Sequence, residues 1–213
     1  QEEIDSWMEI IGNMHYPVDQ GRRIFIQQDG FFDKQIQSAD EIEPDERPIH
    51  EHWSWDRILR SCYIKQADVL QGLWFLEHLY DIETIERNYR FYEPLTVHES
   101  SLSSCIHGIQ ANLIGDHQLA YKYYLNASRL DLDDYNNDTE DGLHITSMGG
   151  TWMTIVYGFA GMRVKENHLF LNPSLPESWS KYSFNLMFRG AMLRISIGEE
   201  NIILESMNDQ DIQ

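Results

Sequence analysis

Ser100-Ser-Leu-Ser-Ser-Cys-Ile-His-Gly-Ile-Gln-Ala-Asn-Leu113, closed by Gly115 and followed at once by the run from His117 to Leu130, is the stretch that decides the fold. It predicts one helix over 100–113, with Gly115 just past its end, where glycine takes up the left-handed geometry of a C-terminus most easily. A second helix over 117–130 follows after a very short turn. Short turns between antiparallel helices imply stacked helical hairpins.

Upstream the same period recurs. Ile82 to Tyr92 predicts a helix halted by Pro94, because a proline disfavours helical geometry in the residue before it. Ala67, Leu70, Leu73 and Trp74 make an apolar helical face broken at Asp81, and Trp55, Ile58 and Leu59 begin another. Ile4, Trp7, Met8 and Ile11 place a helix at the N-terminus, ended by Gly12 and Pro17. Between Tyr16 and Arg47 no period is visible. A structureless run of that length is unusual in a compact domain unless it is functional or packs across a larger body.

Downstream, 131–142 is polar, with Asn136 and Asn137 as turn residues. Thr146 to Phe159 is expected to be helical and buried. After Gly161 the period falls to two: Leu169 and Leu171 alternate, as do Tyr182, Phe184, Leu186 and Phe188, then Leu193, Ile195 and Ile197, before the run Ile202 to Leu204. The expected organisation is mainly α over 1–161, followed over 162–213 by a short antiparallel β-sheet domain.

The 213 residues are 42% hydrophobic and 24% charged, enough to bury a core. Sixteen Lys and Arg against 35 Asp and Glu give a net charge of −19, which repels nucleic acid and anionic membranes over most of the surface. Any anion recognition has to be local. No apolar run approaches the roughly 20 residues of a membrane helix, and no signal segment opens the chain. Cys62 and Cys105 match no zinc spacing, and two cysteines fit a reducing, cytoplasmic setting. The first residue is Gln1, so the expectation is a processed or trimmed chain, or a piece of a longer one.

Three stretches could carry chemistry. At His98-Glu-Ser-Ser-Leu-Ser-Ser104, either Ser100 or Ser101 caps the following helix, or the helix start presents N–H groups, hydroxyls and an imidazole to an anion. Spacing does not separate the two. At Gly142-Leu-His-Ile-Thr-Ser-Met-Gly-Gly150, the Gly149-Gly150 pair fits tight helix packing. It fits equally a phosphate cradle of Thr146, Ser147 and first-turn N–H groups, with His144 adding charge or a hydrogen bond. Lys65-Gln66, opening the helix that follows, would suit sugar hydroxyls beside Trp53 and Trp55, or Lys65 simply reaches solvent.

The remaining candidates are weaker. The acids Asp131, Asp133, Asp134, Asp138, Glu140 and Asp141 lack the order of an EF-hand, and His50 and His52 lack a third ligand, so no metal is expected. No G-x-S-x-G elbow occurs, and Cys105 lies within a helix pattern.

Four stretches in one order, Ile64-Lys-Gln-Ala-Asp-Val-Leu70, Phe91-Tyr-Glu-Pro-Leu-Thr-Val-His-Glu-Ser-Ser-Leu-Ser103, Ser128-Arg-Leu-Asp-Leu-Asp-Asp-Tyr-Asn136 and Gly142-Leu-His-Ile-Thr-Ser-Met148, resemble glycoside hydrolase family 65. The resemblance runs from about residue 7 to residue 197. It implies the second half of an (α/α)6 barrel followed by the family's small C-terminal β domain, and a homodimeric parent enzyme needing the remainder of the same polypeptide. An incomplete barrel would expose its inner face, which makes the isolated piece poorly stable.

The activity implied is inverting phosphorolysis of maltose to β-glucose 1-phosphate and glucose, or of kojibiose, nigerose or trehalose, with inorganic phosphate as co-substrate and no cofactor. An inert fragment that only binds sugar or phosphate is the alternative. By the same resemblance Lys65 and Gln66 hold glucose, and His98, Ser100, Ser101, His144, Thr146, Ser147 and Gly149 form the two phosphate loops. The family's general acid is a glutamate in a Gly-Pro-Asp-Glu-Tyr-like motif that is absent here, so no catalytic residue is assigned and Glu99 does not take its place. Gly149 stands where many relatives would carry alanine.

Overall fold

The computed structural model describes residues 1–135 and 137–208 and divides the chain into two compact units, residues 1–64 with 68–97, and residues 65–67 with 98–213. In the first unit α1 (Glu2–Asn13) precedes two short strands, β1 (Val18–Asp19) and β2 (Ile24–Phe25). After a run of 3₁₀ turns come α2 (Ile49–His52), α3 (Trp55–Arg60), α4 (Asp68–Phe75) and α5 (Ile82–Tyr92).

Helix α5 organises this unit. The Asp81 carboxylate accepts the Thr84 N–H at 2.7 Å and caps it, an arrangement worth about 1 kcal/mol. Its buried stripe is Ile85, Asn88, Tyr89 and Tyr92, one helical face. Asn88 Oδ1 accepts the Phe25 N–H at 2.9 Å, while Tyr92 Oη accepts the Gln27 N–H at 2.9 Å and donates to the Phe25 carbonyl at 2.6 Å. Side chains of α5 thus supply backbone partners to this segment, whose own ladder is limited to the short pairing of β1 with β2. Phe31 packs edge-on to Phe91 and Tyr92, and Ala39, Ile42, Ile49 and Val97 form a smaller core under Trp53, Ile58 and Tyr63. The apolar residues of α1, Ile4, Trp7, Met8 and Ile11, are all exposed.

The second unit is built on α6 (Ser103–Leu113), whose residues are buried from Ser103 through Asn112. Gly115, at φ +84°, turns the chain, and the Asp116 carboxylate accepts the Leu119 N–H to start α7 (His117–Ser128). A short α8 (Leu130–Asp133) leads to α9 (Ile145–Met153), which continues as a π-helix over Thr154–Phe159. Small residues let this segment lie on α6. A β-carbon added at Gly150 would stand 2.7 Å from Cys105 Cβ, and one at Gly158 would stand 3.5 Å from Ile109 Cα. Asn112 Nδ2 donates to the Gly158 carbonyl at 2.7 Å across the same seam.

The β region follows: β3 (Arg163–Lys165) pairs with β4 (His168–Phe170), and β5 (Lys181–Phe188), β6 (Ala191–Gly198) and β7 (Ile202–Ser206) form an antiparallel sheet in that order. Both Glu166-Asn167 and Arg189-Gly190 have positive φ at each residue, which is the geometry that closes a two-residue hairpin with the twist of its strands. Tyr182 and Phe184 face Ile197 and Ile195, all buried, so the period of two in the sequence is the inward face of the sheet. Trp179 joins this region to the helices, packing on Tyr121, Tyr124, Phe159 and Tyr182. Mainly helical with a small C-terminal antiparallel sheet is the expected fold class, and it is the one observed.

Several expected boundaries move. The helix expected from Ser100 starts at Ser103 and has no side-chain cap from Ser100 or Ser101, because the Ser100 hydroxyl bonds the Leu102 N–H in a turn instead. The helix expected to Leu130 stops at Ser128 and restarts as α8. Lys65 and Gln66 form a bend ahead of α4, whose first residue is Asp68. The 146–159 helix is open on one side, with Met148 and Trp152 exposed. Asn137 takes a turn conformation at φ +54°, whereas Asn136 lies outside the described residues.

Gly161 has φ +56°, and a β-carbon there would run into the Asn172 carbonyl. Gly161→Ala should therefore lower stability by at least about 2 kcal/mol, the left-handed strain adding to the clash. A denaturation midpoint equal to the parent's would contradict this.

Candidate functional site

A pocket of about 180 Å³ opens in the second unit, walled by His98, Ser100, Ser101, Ser104, Asn126, Ala127, Leu130, Tyr135 and Ser147. It lies between the turn that enters α6, the end of α7 and the start of α9. Its volume suits a small ion better than a disaccharide, whose pockets run from about 300 Å³ upward. The turn is fixed by Ser100, whose carbonyl accepts the Ser103 N–H at 3.1 Å and whose hydroxyl accepts the Leu102 N–H at 3.3 Å. The opposite wall is fixed by Ser147, a buried residue whose hydroxyl donates to the Ala127 carbonyl at 2.8 Å and so ties α9 to α7.

His98 sits at the entrance to that turn with φ +57°, a backbone geometry costing roughly 1–2 kcal/mol for a residue with a β-carbon. Its Nδ1 meets the Ser103 hydroxyl at 3.0 Å and its Nε2 meets the Tyr123 phenol at 2.8 Å. Its ring also stands edge-on to His107, centroid to centroid 4.5 Å. Burial, with a smaller contribution from His98, holds His107 well below the ordinary histidine pKa, so that ring is neutral. Cys105 on the same helix has its thiol pushed up by burial, which keeps it protonated and removes it as a nucleophile.

His144 does not line the pocket. Its Nδ1 contacts Asp131 at 2.6 Å and its Nε2 contacts Asp138 at 3.4 Å, so the imidazole clamps the acidic loop. This hydrogen bond holds the Asp131 carboxyl below the usual carboxylate range. Two further acids of the run, Asp133 and Asp134, are bonded within the protein as well. Asp133 takes the Arg129 guanidinium and the Tyr135 phenol, and Asp134 accepts the N–H groups of Asp138 and Thr139. Among the described residues no group of three His, Cys, Asp or Glu side chains is placed to hold a metal ion, and no helix is long and apolar enough to cross a membrane.

The structure therefore brings His98, Ser100, Ser101 and Ser147 together and leaves the other candidates outside the pocket wall. Thr146 and Gly149 are exposed on the first turns of α9, where the amides of Ile145, Ser147 and Met148 already donate to the carbonyls of Leu143 and His144. Lys65 is half-buried and Gln66 exposed. In the first unit Trp53 is covered by the Arg57 guanidinium at 3.5 Å, and Trp55 is exposed. Sequence reasoning missed Tyr123, Asn126 and Tyr135. Each reaches the pocket, or His98 in its wall, from a segment remote in sequence from the turn at 98–104, and that leaves no local spacing signal.

The Glycosyl hydrolase family 65 central catalytic domain model matches residues 1–153, and the Glycosyl hydrolase family 65, C-terminal domain model matches residues 162–213. The chain is 47% identical to the maltose phosphorylase of Bacillus subtilis (strain 168) over 99% of its own length and 28% of that protein's. It is 39% identical to the alpha,alpha-trehalose phosphorylase of Thermoanaerobacter brockii, over 100% of its length and 27% of that protein's. With the kojibiose phosphorylase of Halothermothrix orenii the identity is 35%, over 98% and 27%. A solved structure titled a putative kojibiose phosphorylase from human microbiome superposes with a TM-score of 0.89 at 38% identity, covering 97% of this chain and 29% of that one. The chain belongs to glycoside hydrolase family 65. It spans about 28% of the length of these relatives.

Two neighbouring glycines separate packing from space. A β-carbon at Gly150 meets Cys105, whereas one at Gly149 meets nothing within 4 Å. Gly150→Ala should cost about 1–3 kcal/mol by overpacking, and Gly149→Ala should be neutral or stabilising by up to about 1 kcal/mol through helix propensity. Chemical denaturation of both variants checks the order, and equal effects would refute it. The Asp131–His144 bond should also show in acid. A carboxyl with a depressed folded pKa contributes stability that is complete above the unfolded value of about 3.9 and is lost as pH falls through the folded value. The destabilisation caused by Asp131→Asn should accordingly be present at neutral pH and shrink in acid, as followed by urea midpoints across that range.

Proposed function

We propose that this chain is the C-terminal part of an inverting disaccharide phosphorylase, with residues 1–161 as half of the catalytic barrel and residues 162–213 as its β domain. Its pocket receives inorganic phosphate. The observation that carries this reading is a small, serine-rich pocket where the turn entering α6 meets the end of α7 and the start of α9, in a chain whose net charge of −19 gives no general reason to attract an anion. Inverting hydrolysis needs one carboxyl group as acid and a second as base to activate water. Phosphate is already ionised and needs no base, so hydroxyl donors can replace the second carboxylate. Phosphate oxygen then attacks the anomeric carbon as the acid protonates the leaving glycosidic oxygen. That acid comes from a glutamate outside this chain, and without it these residues bind but do not turn over.

Maltose is the proposed substrate, supported by the 47% identity to a maltose phosphorylase. Trehalose or kojibiose is the second reading, favoured by the 39% and 35% identities to phosphorylases of those sugars. Lys65 and Gln66 are proposed to hold the glucosyl unit. His144, Thr146 and Gly149 shape the second phosphate loop, His144 through its clamp on Asp131 and Asp138.

The test is glucose 1-phosphate release from maltose, trehalose and kojibiose by the full polypeptide that carries this chain. Maltose is expected to be turned over best, with Lys65→Ala raising mainly the disaccharide KM and His144→Ala mainly the phosphate KM, each severalfold. Equal turnover of trehalose and maltose would overturn the substrate assignment. A phosphate KM unmoved by His144→Ala would overturn the loop assignment.

A further inference from the structure

His98 is the first residue of the pocket wall, and both of its ring nitrogens are already engaged by the Ser103 hydroxyl and the Tyr123 phenol. The two partners come from different helices, Ser103 from the first turn of α6 and Tyr123 from the middle of α7. Both are buried, and the Tyr123 ring is tilted against the imidazole at 4.6 Å between centroids. The neutral His107 ring stands edge-on to His98 at 4.5 Å between centroids. A backbone held at φ +57° persists only where the surroundings over-determine it. These three side chains are part of those surroundings. Hydroxyl groups donate or accept as required, so the pair holds the imidazole in either tautomer and in either charge state.

We propose that Tyr123 and Ser103 are positioning residues of the phosphate site: they lock the His98 ring beside the start of α6, so that phosphate is held by the hydroxyls of Ser100, Ser101 and Ser104 and not by an imidazole nitrogen. This rests on the phosphate reading of the pocket given above. It assigns His98 the task of fixing the turn whose hydroxyls face the anion. A direct ligand would need a ring nitrogen turned into the pocket, which would break one of two hydrogen bonds that are 3.0 Å or shorter.

The test uses the full enzyme. Tyr123→Phe keeps the ring packing and removes only the hydroxyl, and Ser103→Ala removes the other anchor. Each should raise the phosphate KM roughly three- to tenfold, the size of one lost hydrogen bond. The disaccharide KM and kcat should stay within about twofold, since binding of only one substrate is disturbed. A tyrosine that served folding alone would lower the melting temperature without this split. Imidazole nitrogen NMR gives the second readout. Phosphate should leave the His98 nitrogen shifts unchanged in the parent, and Tyr123→Phe should move them.

If both variants retain the parental phosphate KM, or phosphate itself perturbs the His98 nitrogens, the positioning role is overturned while the phosphate pocket stands. If the parent enzyme shows no saturable dependence on phosphate, the pocket reading falls and this inference falls with it. Should Tyr123→Phe fail to fold, Ser103→Ala decides by the same criterion.

Discussion

The burial of α6 through its whole run from Ser103 to Asn112 is the constraint on which the second unit depends. A helix so enclosed would ordinarily be apolar throughout, yet this one carries Ser103, Ser104, His107, Gln110 and Asn112 inside. Polar groups survive burial only when they find partners. Ser103 finds His98, and Asn112 finds Gly158, His117 and Ser174. The first contact sets the pocket at one end of the helix, and the second ties the other end to the segment that enters the sheet. Polar residues of this one helix thus take part both in the pocket and, alongside the packing of Trp179, in the attachment of the β region.

The pocket wall is polar but carries no fixed charge of either sign from Asp, Glu, Lys or Arg. Two acids of the neighbouring loop are paired, Asp131 with His144 and Asp133 with Arg129, which leaves less uncompensated negative charge beside the cavity. The wall contains serines, an asparagine, a tyrosine and the engaged His98. Such a wall offers hydrogen-bond donors without a fixed cation, a setting in which a small anion would be held by hydrogen bonds alone.

How much of this was legible in the sequence depends on the range over which each feature is determined. Ile82–Tyr92 was readable to the residue because Asp81 and Pro94 mark its ends locally, and the strands because a period of two survives from Tyr182 to Ile197. The start of α6 was misplaced because Ser100 bonds its own turn, a choice that depends on what His98 does. Gly149 and Gly150 look alike in sequence, and only the position of Cys105 distinguishes them. In Tyr121-Lys122-Tyr123-Tyr124 the sequence does not say that Tyr121 and Tyr124 face Trp179 while Tyr123 faces His98. Of the residues that the family resemblance singled out, His98, Ser100, Ser101 and Ser147 lie around one pocket. It does not say which partners each imidazole takes: Ser103 and Tyr123 for His98, Asp131 and Asp138 for His144.

The most direct measurement is a crystal structure of the protein with inorganic phosphate bound. Phosphate oxygens should lie about 2.6–3.0 Å from the hydroxyls of Ser100 and Ser101, with His98 still bonded to Ser103 and Tyr123. Phosphate bonded to a turned-out His98 nitrogen, or bound away from this pocket, would contradict the account.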